Sequence, residues 1–340
     1  MPSGFYDMKQ RERIDAAVQT DENKGLFRAM YANMLRIRRF EEEVFEFYKC
    51  GKMPGLAHLY IGEEAVATGA CAVLRSDDYV SSTHRGHGHL IARGADLRKM
   101  MAEILGRWDG YCHGKGGSMH IMDMSLGILG ANGIVGGGIP IATGAAYSCK
   151  YRGTDQVVLC FFGDGASNEG TFHESLNMAS AWDLPVVYII ENNLYGITVN
   201  INRVTREHDL SKRAAAYGID GYSVDGNDVM AVYHAVEKAV ENARAGKGPS
   251  LIECRTYRQH GHNGNDNGAY RAEGELEYWL SRDPILLFEQ QEYLDPAERE
   301  EIRKQTEEEI RDACEFALNS PEPAPETLME GIFFEGGEHR

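Results

Sequence analysis

Two short stretches with metal-binding side chains stand one strand–helix–strand interval apart. Gly163-Asp164-Gly165 follows the apolar run VVLCFF (Val157 to Phe162), and Glu191-Asn192-Asn193 follows VVYII (Val186 to Ile190). Between them HESLNMASAW reads as a helix. A carboxylate, Asp164, and an amide oxygen, Asn193, with backbone carbonyls nearby, make a hard-oxygen donor set of the kind Mg2+ takes. Such a set is incomplete without a phosphate ligand. Gly163 and Gly165 let the chain turn tightly, and the amides of Gly165, Ala166 and Ser167, expected to open the helix, point toward an anion. GDG alone is also an ordinary turn, and Asn-Asn often closes a strand. Their spacing across one crossover is what favours a diphosphate held through a metal and a helix N-terminus.

The spacing matters only if the two strands are neighbours, which depends on the surrounding elements. After a polar extension over residues 1–25, Phe27, Met30, Met34, Ile37, Phe40, Val44 and Phe47 recur three and four residues apart, as on an amphipathic helix with a buried aromatic face. From Gly51 to Gly138 the chain is irregular and glycine-rich. It carries histidine clusters in THRGHGH (Thr83 to His89) and CHGKGGSMH (Cys112 to His120), a composition that places backbone close to a ligand or a packed interface. Beyond Val186 the pattern predicts a helix near Leu210 to Tyr217 and a short strand near Tyr222. A helix from Asp228 to about Arg244 and the strand SLIEC, Ser250 to Cys254, follow. Alternation of this kind implies right-handed crossovers, hence an α/β fold with a parallel sheet flanked by helices, and ligands collect at the carboxyl ends of such strands. The polar loop RQHGHNGNDNGAYR (Arg258 to Arg271) has few apolar anchors and is expected to be mobile until something binds. A charged helix from Pro296 to about Leu318 follows. The expected division is an extension over 1–25, a cofactor-binding domain over 26–290, and a C-terminal helix and tail over 291–340 packed on it.

Bulk properties narrow the function. A formal net charge of -17 in 340 residues argues against attraction to nucleic acid or anionic membrane. The seven cysteines are scattered with no C-x-x-C pair and read as reduced core thiols of a cytoplasmic protein. The N-terminus has no apolar core for secretion, its acids argue against a transit peptide, and no apolar stretch is long enough to span a bilayer. Two nucleotide motifs fail. Gly110 to Lys115 is one residue short of a phosphate-binding loop, and Asn168 stands where a dinucleotide fingerprint needs its third glycine, which counts against a nicotinamide-linked oxidoreductase.

Several segments in order resemble one family. HLYIGEEA (His58 to Ala65), STHRGHGH (Ser82 to His89), GKGGSMHI (Gly114 to Ile121), GANGIVGGGIPIATG (Gly130 to Gly144), the GDG and ENNLYGI motifs, and TYRQHGH (Thr256 to His262) carry the likeness. It is to the alpha subunit of the thiamine diphosphate-dependent first component of 2-oxo acid and acetoin dehydrogenase complexes. The resemblance covers Leu26 to Arg271 and implies the thiamine diphosphate-binding fold. It implies Mg2+ held by Asp164 and Asn193 side chains and the Tyr195 carbonyl, and a diphosphate clamped by Arg85 and Arg258 beside Gly163, Gly165 and Ala166. It further implies that Gly133 and Val135 meet the aminopyrimidine through their backbone. His58, His87 and His262 would face the reacting carbon, His262 also touching the cofactor, whereas His113 and His120 are expected to be structural or at an interface.

The chemistry so implied uses the thiazolium carbon of thiamine diphosphate as a carbanion on a small carbonyl substrate, with the acyl group passing to a lipoyl-bearing acyltransferase component. The glutamate that activates the pyrimidine is expected from a beta subunit in an alpha2beta2 assembly, because Glu63, Glu64 and Glu191 sit in segments where that role is not assigned. The runs around His84 and Asp164 look closer to acetoin-cleaving members, with pyruvate or branched-chain 2-oxo acid dehydrogenase as the alternative and a noncatalytic cofactor-binding protein as the alternative from another class. Asn263 and Asn265 stand where eukaryotic relatives carry regulated serines, so phosphate control of this loop is not expected.

Overall fold

The computed structural model describes residues 21–331. The first helix, α1 (Asp21–Lys49), begins before the expected boundary, so residues 21–25 form its first turn; the rest of the expected extension lies outside the described residues. Its stripe of Phe27, Met30, Met34, Ile37, Phe40 and Val44 is buried, as the spacing predicts. The chain continues through α2 (Glu64–Cys71), β1 (Tyr79–Ser81), α3 (His87–Ala92), α4 (Leu97–Ile104), β2 (Ile128–Gly130), α5 (Gly138–Arg152) and β3 (Val158–Gly163). Then come α6 (Gly170–Ala181), β4 (Val186–Asn192), a small antiparallel pair β5 (Tyr195–Gly196) and β6 (Val199–Asn200), and β7 (Asp220–Asp225). The remainder is α7 (Val229–Arg244), β8 (Ser250–Arg255), α8 (Glu275–Leu280), α9 (Pro284–Gln290) and α10 (Pro296–Asn319). Asp96, Asp228 and Asp283 cap α4, α7 and α9 through their carboxylates, and Asp295 with Glu298 forms a reciprocal capping box on α10.

Six strands form one parallel sheet in the order β2-β1-β3-β4-β8-β7. Successive side chains on a strand point to opposite faces, and here both faces are covered, which is why the central strands are apolar at nearly every position. Val158, Cys160 and Phe162 of β3, with Val186, Tyr188 and Ile190 of β4, pack under α5 and α6. Leu159 and Phe161, with Val187 and Ile189, pack under α2 and α7. The α/β sandwich expected from the alternation is therefore present. Outside it, α1 and α10 lie against α4, joining Ile37, Phe40 and Val44 to Met100, Met101, Ile310 and Ala313.

Three local expectations are corrected. Leu210–Tyr217 is a 3-10 helix, capped by Asp209 and closed by Gly218 at φ 66. Both central strands run farther than their apolar runs, β3 through Gly163 and β4 through Asn192, so Asp164 and Asn193 each stand directly after a strand end. The amides after Asp164 do not open an α-helix: Gly165–Asn168 is a 3-10 turn, and α6 begins at Gly170.

Candidate active site

A cavity opens at the carboxyl ends of β1, β3 and β4. The parallel register pairs Gly163 with Glu191, so the residues that follow, Asp164 and Asn193, reach the same crevice. Asp164 is 1% exposed, and its Oδ2 is buried with no hydrogen-bond partner. Burial pushes its carboxyl up to about 7, a demand for a cation that Arg258 meets only in part. Asn193 donates from Nδ2 to Glu63 Oε1 at 3.1 Å, which leaves Oδ1 as its acceptor beside the Tyr195 amide. Leu194 between them has φ 75, a left-handed turn uncommon for a non-glycine residue. It reverses the chain so that both Asn193 and Tyr195 line the cavity.

Arg258 is 1% exposed. Its Nη2 donates to the Ile197 carbonyl and to the Tyr270 hydroxyl, while Nε and Nη1 are buried without partners. A buried guanidinium with spare donors calls for an anion as clearly as Asp164 calls for a cation. Arg85 lines the cavity, and Arg258 meets it through the carbonyl of Ile197, another lining residue. Arg85 donates to the carbonyls of Leu59 (2.6 Å) and His262 (3.0 Å) and stands 3.9 Å from Glu63, so much of its fork is already used to hold the His262 segment. The amide-bearing turn Gly165–Asn168 is pinned from outside by Arg213. That side chain donates to the Ser167 carbonyl, to Ser167 Oγ at 3.1 Å and to Asn168 Oδ1 at 2.9 Å. Sequence reasoning passed over Arg213, which lies in a 3-10 helix with no motif of its own.

His58, His84 and His262 cluster, with ring centroids 4.9 to 5.6 Å apart. Burial and then the Arg85 charge lower their basicity, to about 3 for His58, about 2 for His84 and about 4 for His262. The expectation for His87 is corrected: His84 takes its place at the cavity. His87 is fully buried inside α3, with Nδ1 3.0 Å from Glu41 Oε2 and Nε2 3.0 Å from Ser118 Oγ. The rule that ligands gather at strand carboxyl ends could have made this choice, since His84 lies in the loop after β1 and His87 lies within a helix. His89, in the same helix, stacks on Phe161 and bonds Ser82 and Glu191.

The reason given for Gly133 also changes. Val135 lines the cavity but Gly133 does not, and a Cβ at Gly133 would meet the His120 ring at 3.1 Å. Gly136 and Gly138 of the same segment do line the cavity, and at Gly136, φ 78, a Cβ would press on Glu169 and Thr171. Glu63 and Glu191 both line the cavity; burial beside Glu191 pushes the Glu63 carboxyl up, and Glu191 is held by Tyr60 and His89. Glu64 turns away to Arg38 at 2.6 Å. The Arg258 to Arg271 loop, expected to be mobile for want of apolar anchors, is tied internally by polar bonds. Asp266 accepts from the His262 amide at 2.6 Å and the Tyr270 hydroxyl at 2.8 Å, and Arg271 donates to the carbonyls of Arg258, Gln259 and His260.

These features bring an unpartnered carboxylate oxygen and unpartnered guanidinium nitrogens to the region of a crevice walled by a cluster of imidazoles. A family model described as "Dehydrogenase E1 component" matches residues 32–326, and the chain belongs to that family of thiamine diphosphate-dependent oxidoreductases. Among curated proteins, the alpha subunit of acetoin:2,6-dichlorophenolindophenol oxidoreductase from Bacillus subtilis is 49% identical over 317 residues, covering 92% of this chain and 94% of that protein. The Cupriavidus necator protein of the same name is 43% identical over 331 residues, covering 96% and 99%. The pyruvate dehydrogenase E1 component subunit alpha of Rhizobium meliloti is 43% identical over 307 residues, covering 89% and 88%. Among the described residues no helix is long and apolar enough to cross a membrane.

Proposed function

We propose that this chain is the alpha subunit of a thiamine diphosphate- and Mg2+-dependent enzyme that cleaves acetoin and passes the acetyl group to a lipoyl-bearing component. The observation that carries the cofactor reading is the pair of opposite, unmet charges: Asp164 Oδ2 without a partner on one side and Arg258 Nε and Nη1 without partners on the other. A metal diphosphate satisfies both. Asp164, Asn193 and the Tyr195 carbonyl would hold the metal, and Arg258 with the turn amides of Gly165 and Ala166 would hold phosphate oxygens. When bound, the cofactor supplies a thiazolium carbon that can add to a carbonyl and accept the electrons of the bond that breaks.

This chain's own residues then bind, orient and move protons. His58, His84 and His262 are neutral near pH 7 by the lowered basicity described above, so each can donate or accept at a substrate hydroxyl or carbonyl oxygen. The Arg85 hydrogen bond to the His262 carbonyl fixes that imidazole's base against the wall. The mouth exposes Ile134, Val135 and Ile197, at 73%, 51% and 60%, an apolar rim suited to a beta subunit that would bring the pyrimidine-activating glutamate.

Acetoin is favoured because the Bacillus subtilis relative is more similar to this chain than the Rhizobium meliloti one; that second likeness keeps a pyruvate dehydrogenase alpha subunit as the other reading. The test is the product formed after co-expression with a beta-type partner. Acetaldehyde from acetoin is expected; carbon dioxide from pyruvate, with acetoin untouched, establishes the second reading instead. Turnover by the isolated chain with an artificial acceptor would contradict the need for a beta subunit. Thiamine diphosphate binding without turnover in any assembly would leave a cofactor-binding protein.

A further inference from the structure

The imidazoles of His58, His84 and His262 reach one point from separate segments, before α2, after β1 and after β8. One ligating nitrogen from each can be chosen so that all lie within 4.8 Å of one another. His58 is 5% exposed, and its Nδ1 is buried with no partner. We propose that these histidines form a second metal site, separate from the oxygen donors of Asp164 and Asn193, that takes Zn2+ or a similar late transition-metal ion with its fourth position open to the cavity.

The donor chemistry separates the two sites. Imidazole nitrogen suits zinc, copper and nickel, whereas carboxylate, amide and carbonyl oxygens suit magnesium. Ligating histidine must be neutral, and burial beside Arg85 keeps all three imidazoles so at neutral pH. Tetrahedral zinc with nitrogen at 2.0–2.1 Å puts its ligand atoms about 3.3 Å apart, so the rings must close in by a side-chain rotation. Loop positions for His84 and His262 permit that. The Arg85 charge opposes a cation here and limits the affinity that the three nitrogens can reach. The His262 backbone is held at both ends, its amide by Asp266 and its carbonyl by Arg85, so the site has one well-placed ligand before metal arrives. A metal held there occupies the wall that a substrate would face and blocks turnover; that consequence, unlike the binding, rests on the function proposed above.

The experiment is a Co2+ titration of the untagged full chain, followed by visible absorption and by Zn2+ competition. Expected are the intense bands of four-coordinate cobalt, saturating at one such Co2+ per chain and displaced by Zn2+. His84→Ala and His262→Ala should each abolish those bands and weaken Zn2+ binding at least about 10-fold. Asp164→Asn should keep them. His84→Asn serves if His84→Ala does not fold. Only weak six-coordinate bands in the parent chain, bands that survive both histidine changes, or bands lost with Asp164→Asn would each overturn the proposal. None of these outcomes bears on Mg2+-dependent thiamine diphosphate binding, which is titrated separately and tests the function itself.

Discussion

Asp164 shows what a buried carboxylate oxygen without a partner costs a protein. Its folded carboxyl is raised to about 7 from an ordinary 3.8, so the unfolded chain binds fewer protons between those values and stability falls as pH rises through that window. Asp164→Asn removes the titration. In urea unfolding without metal, the variant should exceed the parent by about 1–3 kcal/mol at pH 8, with the difference shrinking toward pH 4. The same change should weaken Mg2+-dependent thiamine diphosphate binding at least about 100-fold. Equal stability at pH 8 would mean the carboxylate is already satisfied. The histidines divide by the same reasoning. His87→Ala strands Glu41 and Ser118 and should lower stability by about 1–3 kcal/mol. His262→Ala should leave the unfolding midpoint and cofactor affinity near those of the parent while cutting turnover. If His87→Ala unfolds like the parent, or His262→Ala turns over normally, the roles assigned by burial are wrong.

At the scale of elements, two irregular segments owe their shape to single side chains in other elements. Glu103, fully buried in α4, accepts from the amides of Cys112, Gly114, Gly116 and Gly117 at 2.7 to 2.9 Å, so one carboxylate folds the CHGKGG loop around itself. Ser118, next along, is the partner of His87. Glu103→Gln turns half of that acceptor set into a donor and should expose the loop to trypsin at Lys115; an unchanged digestion pattern would mean the loop is held by other contacts. Arg213 plays the matching part for the turn after Asp164. Arg213→Ala should raise the thiamine diphosphate concentration needed for half-maximal activity about 10-fold or more, with kcat changed less, because the turn amides lose their support rather than the reacting groups. A fall in kcat alone would place Arg213 in the chemistry. Neither device was legible in the sequence, where Glu103 is one acid in a stretch that reads as irregular and Arg213 one base in a charged run.

For the whole molecule, α10 is the outer clasp. Its Ile302, Ile310, Ala313 and Ala317 are buried against α1, α4 and α9, and Arg36 pairs with Glu309 at 2.6 Å on the half-exposed rim. Apolar burial should dominate, since such rim pairs are worth about 1 kcal/mol or less. A chain ending before Pro296 should therefore aggregate, whereas 1 M salt should shift thermal unfolding of the full chain only slightly. A large salt-induced loss would reverse that ranking. Strands β3, β4, β7 and β8 with α6, α7 and α10 follow from the alternation of short apolar runs with helical ones. By contrast, β1, β2 and α2 to α4 lie in the glycine-rich stretch from Gly51 to Gly138 that reads as irregular. Boundaries slipped where polar residues extend a strand, as Gly163 and Asn192 do, because ladder hydrogen bonds continue past the apolar run.

The sequence by itself put Asp164 and Asn193 after two successive strands; the tertiary structure made those strands neighbours, as the successive β2 and β3 are not. The sequence also determined the family, through motifs spread over most of the chain. Tertiary structure decided which histidines meet: THRGHGH offers three within a few residues, and only the point where β1 ends and α3 begins sends His84 to the cavity and His87 and His89 into the core. It decided as well which charges are left unmet. Asp164 and Arg258 look like any surface pair until burial removes water and supplies no substitute for it.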